Sequence, residues 1–507
     1  MAVSQLKSGV VLNYFIIGLQ TLVGLLYTPF LLRMLGQSEY GLYSLVASVI
    51  GYLTIMDFGF GNAVIRYTAK YRAEGKVEQQ YSLFGMFLKI YCVIGVVAIA
   101  FGMVLYLNVD NLFGGTMTAV ELSEAKIMML ILTFNLAITF PFSVFGSIIT
   151  SYEDFIFQKM VQIVRIVLNT VVMICLLKMG YKAIAMVVVQ TVFNLMTLLI
   201  NAFYCKYKIK IKFVFGKINW SLLKEVSIYS FWIFLNVIID KVYWSTGQFV
   251  LGAVAGTVAV AVFAVAIRLT FMYMSFSTAI ASVFLPRISG MVAKKCPEKE
   301  ISDIFIRTGR LQYAVLSFVL SGFVIFGRRF IALWAGPGYE DSYIMTLLFF
   351  LALLIPMIQN VGITILQARN QMKFRSLMYL AIAALSLVAQ IVLAKKFGGI
   401  GCAVAIAGAL FLGTGLIMNV YYHVKQHLDI VSFWKEILKM SVVPLVLTLL
   451  SFWALNYVDI NSLWMFLIAV LVYSALYVPL FWRLSLKASE RELILRPLRK
   501  LSRGEKL

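Results

Sequence analysis

The stretch at 35–76, LGQSEYGLYSLVASVIGYLTIMDFGFGNAVIRYTAKYRAEGK, decides the fold class of this chain. It opens with a glycine turn and continues through a long apolar run, near 42–65, that contains one carboxylate at Asp57. A basic segment follows the run. About 20 apolar residues are enough for one helical crossing of a bilayer. The stretch therefore predicts a membrane span that places a carboxylate inside the membrane.

Composition extends this prediction to the whole chain. Of the 507 residues, 62% are hydrophobic and 13% are charged, and the mean hydropathy is +0.92. These values lie outside the range of soluble globular proteins. Apolar runs of sufficient length recur along the chain and number roughly fourteen. The first of them, at 10–32, lacks a small-residue cleavage site and is expected to be a retained span. We therefore expect an all-α polytopic membrane protein with about 14 transmembrane helices.

The basic residues predict the orientation. The chain has 44 Lys and Arg against 22 Asp and Glu, a net charge of +22. Most of the basic residues fall in loops and tails that lie inside if the N-terminus is cytoplasmic, as the positive-inside rule requires. The largest inside blocks are the segment 206–217, the loop 286–310 and the tail after Arg483.

These blocks are expected to contact anionic membrane lipids and not nucleic acid. We predict a multi-pass protein of the plasma membrane, the inner membrane of the cell, with both termini cytoplasmic. The tail is expected to form a short surface helix broken at Pro497.

Three local alignments at offsets of roughly 215 to 220 residues predict an internal duplication. The aligned pairs are Gly36 with Gly256 (together with Gly41 and Ala261, and Tyr43 and Phe263), Pro141 with Pro356, and KMGYKAIA at 178–185 with KFGGIGCA at 396–403. Two six-helix lobes follow, with two further helices appended. Because six spans return the chain to the same side, the lobes should run parallel. The predicted divisions are an N-terminal lobe at 1–212, a C-terminal lobe at 213–425, and spans thirteen and fourteen with the basic tail at 426–507.

Five ionisable side chains fall within predicted spans, where a charge is costly and usually faces a cavity or a partner. They are Asp57, Lys89, Asp240, Lys241 and Arg268. Counting 1.5 Å per residue places Asp57 and Lys89 at similar depths, which predicts an ion pair. The same arithmetic places Arg268 within reach of Asp240.

For Asp57 with Lys89, two interpretations remain, a structural ion pair and a functional site. Three charges in one hairpin favour a functional site for Arg268 with Asp240 and Lys241. A cationic lining suits an anionic substrate such as a phosphate, and a carboxylate could exchange protons or sodium.

Several other site types find no support in the sequence. His423 and His427 are four residues apart but no third ligand is evident, so a helix end at the interface is preferred over a metal site. The five cysteines form no CxxC pair. No Walker A sequence or nucleophile elbow occurs. We therefore expect no cofactor, no metal and no enzymatic activity.

The 35–67 stretch, the stretch IIDKVYWSTGQFVLGAVAGTVAVAVFAVAIRL at 238–269 and the fourteen-span plan resemble the bacterial polysaccharide exporters and O-antigen flippases. These belong to the multidrug/oligosaccharidyl-lipid/polysaccharide exporter superfamily. The resemblance implies two lobes around a cavity that opens alternately to each side. It also implies that an undecaprenyl-diphosphate-linked oligosaccharide is moved from the cytoplasmic to the outer leaflet, coupled to a gradient of H⁺ or Na⁺. On this reading the substrate-binding residues are Arg268, Lys241 and Lys89, and the coupling carboxylates are Asp240 and Asp57.

The sequence departs from the related flippases in one feature, and two alternative functions are open. The arginine cluster that related peptidoglycan-precursor flippases carry in span one is missing here, where Arg33 lies at the outer end, and this disfavours lipid II as the substrate. A multidrug or small-metabolite cation antiporter could use the same scaffold. A membrane glycosyltransferase or polymerase is a further alternative, which the short outside loops disfavour.

Overall fold

The computed structural model describes residues 2–216, 220–294, 296–369, 371–455, 457, 462–492 and 495. Within these ranges the secondary structure is helical and contains no strand. The helices are α1 Ala2–Leu53, α2 Phe60–Ala73, α3 Val77–Leu107, α4 Val109–Phe113, α5 Ala119–Ser151, α6 Phe155–Lys178, α7 Ala183–Tyr204, α8 Trp220–Trp244, α9 Thr246–Ala293, α10 Glu298–Trp334, α11 Asp341–Ile358, α12 Asn360–Ala368, α13 Met372–Leu410, α14 Met418–Val424, α15 Ile430–Leu455 and α16 Leu463–Leu484. A 3₁₀ turn covers Thr54–Asp57, and π-helical turns cover Cys205–Ile209 and Phe411–Ile417.

The described residues contain 11 helical segments that are long and apolar enough to cross a membrane. Three of these segments, Val11–Ala73, Phe234–Thr278 and Met372–Val424, have 63, 45 and 53 residues. One crossing needs about 20 residues, so each of the three can supply two spans. Counting them twice gives the expected fourteen. The prediction of an all-α membrane protein with about fourteen spans is confirmed.

Glycines produce the turns inside the long segments. Gly36 interrupts α1 with φ 77° and ψ 175°, and Gly256 interrupts α9 with φ 81° and ψ −177°. This region of backbone space is open essentially to glycine alone. The two glycines that the sequence alignment paired therefore share one backbone conformation. The other aligned turn behaves in the same way, because Gly180 and Gly398 both have positive φ, 88° and 55°.

The first of two compact units contains residues 1–264 and 383–402. Its helices α2, α3 and α5 enclose an aromatic core in which Phe60 meets Phe87 edge to face, with ring centroids 5.7 Å apart. After α7 and the π-helical turn Cys205–Ile209, the segment 210–216 has no regular secondary structure and packs on this core through Ile211 and Phe213. The Val214 N–H donates to the backbone carbonyl oxygen of Tyr81 at 3.2 Å. A Cβ added to Gly85 would lie 2.2 Å from the Val214 carbonyl oxygen.

The second unit contains residues 265–382 and 403–507. A buried arginine on α10, Arg310, forms two hydrogen bonds to Glu490, of 2.6 and 2.9 Å, and one to Glu436 of 2.7 Å. It also donates to the Ser485 carbonyl oxygen at 2.9 Å. A paired, charge-assisted cluster of this kind offsets the cost of burying the charges. It fixes the beginning of the C-terminal tail to α10 and α15.

The tail itself is helical over 488–492, as predicted, but it is not simply a surface helix because Glu490 is 1% exposed. The predicted break at Pro497 lies outside the described residues. The two compact units have different boundaries from the predicted lobes at 1–212 and 213–425. The lobe division describes the duplication and stays a prediction.

Candidate functional site

Span two is interrupted inside its apolar segment, at Asp57. The 3₁₀ turn Thr54–Asp57 is followed by Phe58 with φ 52° and Gly59 with φ 74°, and α2 begins at Phe60. Two consecutive left-handed residues cannot continue an α-helix. In a membrane such irregular backbone is tolerated only where it is buried in protein or lines a cavity. The interruption therefore marks an internal position of the bundle.

The Asp57 carboxylate is held by the Tyr91 hydroxyl and by the backbone N–H of Gly59. Tyr91 on α3 donates to Asp57 Oδ1 at 2.7 Å, and the Tyr91 side chain is fully buried against Phe60 and Phe140. Asp57 itself is half-buried. A carboxylate in this setting keeps a fixed geometry and an open side, as exchange of a proton or a cation requires.

The predicted ion pair between Asp57 and Lys89 is wrong. The Lys89 ammonium donates to the Gly216 carbonyl oxygen at 2.9 Å and lies 5.6 Å from the centre of the Phe215 ring. Lys89 and Tyr91 are two residues apart on α3, so they point to opposite sides of the helix. Because Tyr91 faces Asp57, Lys89 faces away from it.

A second interruption lies in span seven. Helix α8 ends at Trp244, Ser245 forms a turn, and α9 begins at Thr246. The Ser245 N–H donates to the Lys241 carbonyl oxygen at 2.9 Å. Asp240 is exposed and Lys241 is half-buried, about one helical turn before Ser245.

The structure brings the two interruptions together within the first unit. The Tyr52 hydroxyl, at the end of α1, is hydrogen-bonded to the Thr246 hydroxyl at the start of α9. A Cβ added to Gly51 would lie 3.4 Å from Lys241 Nζ. The rings of Phe58 and Phe234 are 5.1 Å apart. Lys241 therefore borders the backbone of span two just before its interruption, a proximity that the sequence did not predict.

Arg268 lies on the part of α9 that belongs to the second unit, and its side chain is exposed. Asp240 belongs to the first unit. The expected proximity of Arg268 to Asp240 stays a prediction.

Sequence reasoning missed a group of uncharged polar residues inside the helices of the first unit. Asn194 Nδ2 donates to Asn135 Oδ1 and to Thr139 Oγ1, both at 2.8 Å. Gln190 Nε2 donates to the Tyr43 hydroxyl at 2.6 Å. Such residues hydrogen-bond between helices in membranes. Amide side chains within apolar spans were the signal that could have found them.

The described residues hold no group of three or more His, Cys, Asp or Glu side chains able to bind a metal ion. His423 is in the last turn of α14, and its Nδ1 lies 3.2 Å from the Leu428 carbonyl oxygen. This position fits the expected helix end.

Comparisons with known proteins agree with this architecture. The structure of the lipid II flippase MurJ in an inward closed conformation is similar with a TM-score of 0.73 at 15% identity, covering 97% of this chain and 99% of that one. An inward-facing multidrug resistance transporter of the MATE family, from the MOP superfamily, gives a TM-score of 0.59 at 14% identity, covering 82% of this chain and 99% of that one. The fold is thus that of the MurJ and MATE transporters.

Sequence comparison gives the family. A protein of Shigella flexneri named "Putative O-antigen transporter" is 20% identical over 424 residues, covering 81% of this chain and 96% of that protein. The family model described as "Polysaccharide biosynthesis protein" matches residues 6–292, more than half of the chain. The chain belongs to the polysaccharide biosynthesis protein family.

Proposed function

We propose that this chain is a flippase that moves an undecaprenyl-diphosphate-linked oligosaccharide from the cytoplasmic to the outer leaflet by alternating access. Its family and the name of its Shigella flexneri relative support a substrate of polysaccharide assembly. Its fold, shared with a lipid II flippase, suits a lipid-linked substrate. Transport, not catalysis, is the activity that this fold supports.

The observation that carries the proposal is the pair of helix interruptions, one at Asp57 and one at Ser245, a single helical turn after Lys241. Interrupted helices at membrane depth are the typical binding sites of transporters, because they free backbone groups and side chains for a ligand. Lys241 and Arg268 supply the positive charge that a diphosphate needs. Lys89 contributes less to substrate binding, because its ammonium is hydrogen-bonded to the Gly216 carbonyl oxygen.

The carboxylates Asp57 and Asp240 are the proposed coupling groups for H⁺ or Na⁺. Asp57 has the better-defined setting, with one hydrogen bond from Tyr91 and a half-buried side chain. Binding of a cation or proton there neutralises a charge that costs about 2.5–3.5 kcal/mol at the bilayer centre. Neutralisation can therefore favour one of two conformations of the transporter.

We place the protein in the plasma membrane with both termini cytoplasmic, as the distribution of basic residues indicates. A reporter fused after residue 507 should be active only on the cytoplasmic side. A reporter in the loop between α4 and α5 should be active only outside.

The test is deletion of the gene followed by analysis of the lipid-linked glycans in each leaflet. Accumulation of a complete repeat unit in the inner leaflet is expected, and an unaltered pool contradicts the proposal. Complementation with Arg268→Ala should fail although the variant inserts, whereas the matched variant Arg33→Ala should restore export. Normal export by Arg268→Ala would remove Arg268 from the site.

A cation antiporter is the second candidate, because MATE multidrug transporters share the fold. This activity predicts drug efflux by the chain in cells that lack other exporters, with no change in surface glycan on deletion. Loss of surface glycan without a change in drug resistance supports the flippase.

A further inference from the structure

A groove of about 620 Å³ opens in the second unit where α13 begins and α14 ends. Lys373, Phe374 and Leu377 line it from the first two turns of α13, and Tyr421 and Lys425 line it from the end of α14. Helix ends of a membrane protein lie near the level of the lipid head groups. The groove therefore opens where a lipid phosphate would lie.

The groove has a rigid polar floor. Gln426 is 1% exposed, and its Nε2 donates to Gln371 Oε1 at 2.6 Å. Arg369 Nη1 donates to the backbone oxygen and to the Oε1 of Gln426, at 3.0 and 3.1 Å. Arg369 is itself paired with Glu298 at 2.6 Å. These contacts hold the floor of the groove in place. The guanidinium charge of Arg369 is neutralised by Glu298, so it does not act on a ligand in the groove.

The cations at the rim are available to a ligand. Lys373 and Lys425 are both exposed. The ion pairs formed among the described residues include neither of them. Two ammonium groups on one groove attract an anion, and each basic residue near a charged lipid surface contributes roughly a fivefold gain in affinity.

The remaining wall is apolar. Phe374 stacks on Tyr421 with ring centroids 4.1 Å apart and planes 9° apart. The side chains of Phe374 and Leu377 are 41% and 47% exposed. Lysines beside exposed apolar side chains at the membrane boundary match a ligand with a phosphate at one end and hydrocarbon at the other.

We propose that this groove binds the head group of an anionic glycerophospholipid, independently of the substrate that the protein transports. Lys373 and Lys425 contact the phosphate, and Phe374 and Leu377 lie along the acyl chains. A zwitterionic lipid would bring its own ammonium group towards the two lysines, which disfavours it. A soluble phosphate would leave the apolar wall uncovered.

The test is native mass spectrometry of the full chain in detergent, titrated with phosphatidylglycerol and, separately, with phosphatidylethanolamine. The parent should bind phosphatidylglycerol about tenfold more tightly than phosphatidylethanolamine. The double variant Lys373→Gln/Lys425→Gln should lose about tenfold or more in affinity for phosphatidylglycerol only. Both lysines are exposed and make no ion pair, so the variant should keep the thermal unfolding midpoint of the parent.

The control is Lys395→Gln/Lys396→Gln, which removes the same charge from two exposed lysines of the first unit that lie outside the basic blocks 206–217, 286–310 and the tail. It should keep the parent's affinity for phosphatidylglycerol within about twofold. Glycerol 3-phosphate, added as a competitor, should not displace the lipid. Equal affinity in the groove variant, equal binding of the two lipids, or displacement by glycerol 3-phosphate would each overturn the proposal.

Discussion

The two copies of the glycine hairpin share a turn but differ in where they carry charge. Gly36 and Gly256, 220 residues apart, have nearly the same φ and ψ. At the same offset, Asp57 in the first copy corresponds to Ser277 in the second. Ser277 is buried in the part of α9 that follows Gly256, where the helix has no break, and it donates to the Met357 carbonyl oxygen at 2.7 Å. The first copy thus has a carboxylate where the second has a structural hydrogen bond.

The other helix of the hairpin shows the reverse arrangement. Asp240 and Lys241 in span seven correspond to Gln20 and Thr21 in span one, where α1 continues without a break. The Thr21 hydroxyl donates within its own helix, to the Ile17 carbonyl oxygen at 2.9 Å. In both copies the helix interruption therefore follows the ionisable residues, on span two in one copy and on span seven in the other. The turn is the same in the two hairpins, while the positions suited to ligands differ.

The largest expected effect on coupling to the ion gradient comes from Asp57→Asn. This change keeps the size of the side chain and removes the charge that we propose to couple transport to an ion gradient. Transport by the variant in proteoliposomes should fall to the rate measured without a gradient. Ser277→Ala is the matched control in the second copy and should keep the stimulation by the gradient. Stimulation that survives Asp57→Asn and disappears in Ser277→Ala would reverse the functional assignment of the two copies.

A second difference between the copies concerns the close approach of their backbones. A Cβ added to Gly41 would lie 1.9 Å from the Thr257 carbonyl oxygen, whereas the equivalent residue of the second copy, Ala261, carries a Cβ and is fully buried. Backbone atoms cannot move aside alone, so Gly41→Ala should cost about 1–3 kcal/mol or more of stability. The measurement is the midpoint of thermal unfolding in detergent.

The control for Gly41→Ala is Gly18→Ala in the same helix, where a Cβ would have nothing within 4 Å. This change should leave the midpoint unchanged or raise it, because alanine favours a helix over glycine. A loss of stability as large as that of Gly41→Ala would show that α1 rejects alanine for another reason than contact with Thr257.

The paired turns themselves give a smaller effect. Gly36→Ala and Gly256→Ala each force an L residue into a region open essentially to glycine, at a cost of about 1–3 kcal/mol. A Cβ on Gly256 would also lie 3.0 Å from the Thr116 carbonyl oxygen, whereas a Cβ on Gly36 would have nothing within 4 Å. Both variants should unfold at a lower temperature than the parent, and Gly256→Ala at the lower of the two. Equal midpoints would mean that backbone strain alone limits both turns.

Hydropathy and glycine patterns were sufficient to predict the membrane class, the number of spans and the turns. Apolar runs extend over a whole span, and the φ and ψ of Gly36 and Gly256 lie in a region that is open essentially to glycine alone. The interruption after Asp57 was not predicted, because Phe58 adopts a left-handed conformation that its residue type does not favour. Tertiary packing around Asp57 and Tyr91 determines that turn, so the local sequence pattern does not predict it.

The wrong pairing of Lys89 has a geometric cause. Counting residues along a span gives the depth of a side chain but not the direction in which it points. Lys89 and Asp57 can share a depth and still face different sides of α3, as the contact between Tyr91 and Asp57 shows. The partner of Lys89, Gly216, lies in a linker whose path a sequence pattern does not predict.

The smallest expected effect comes from Lys89→Met, which separates an anchor from a substrate-binding cation. The change removes the hydrogen bond to Gly216, which contributes about 1.5–3 kcal/mol at most for a charged donor and less at this exposed position. Hydrogen exchange should therefore increase in the segment 210–216 and stay unchanged in α3. Lys89→Arg keeps a donor and should preserve protection of the segment.

Because Lys89 faces away from Asp57, transport by Lys89→Met should stay within about threefold of the parent, a change of less than 1 kcal/mol. Lys241→Met, which removes the cation beside Gly51, should abolish transport. A loss of transport in Lys89→Met as large as in Lys241→Met would place Lys89 in the substrate path and make its contact with Gly216 a state of the transport cycle.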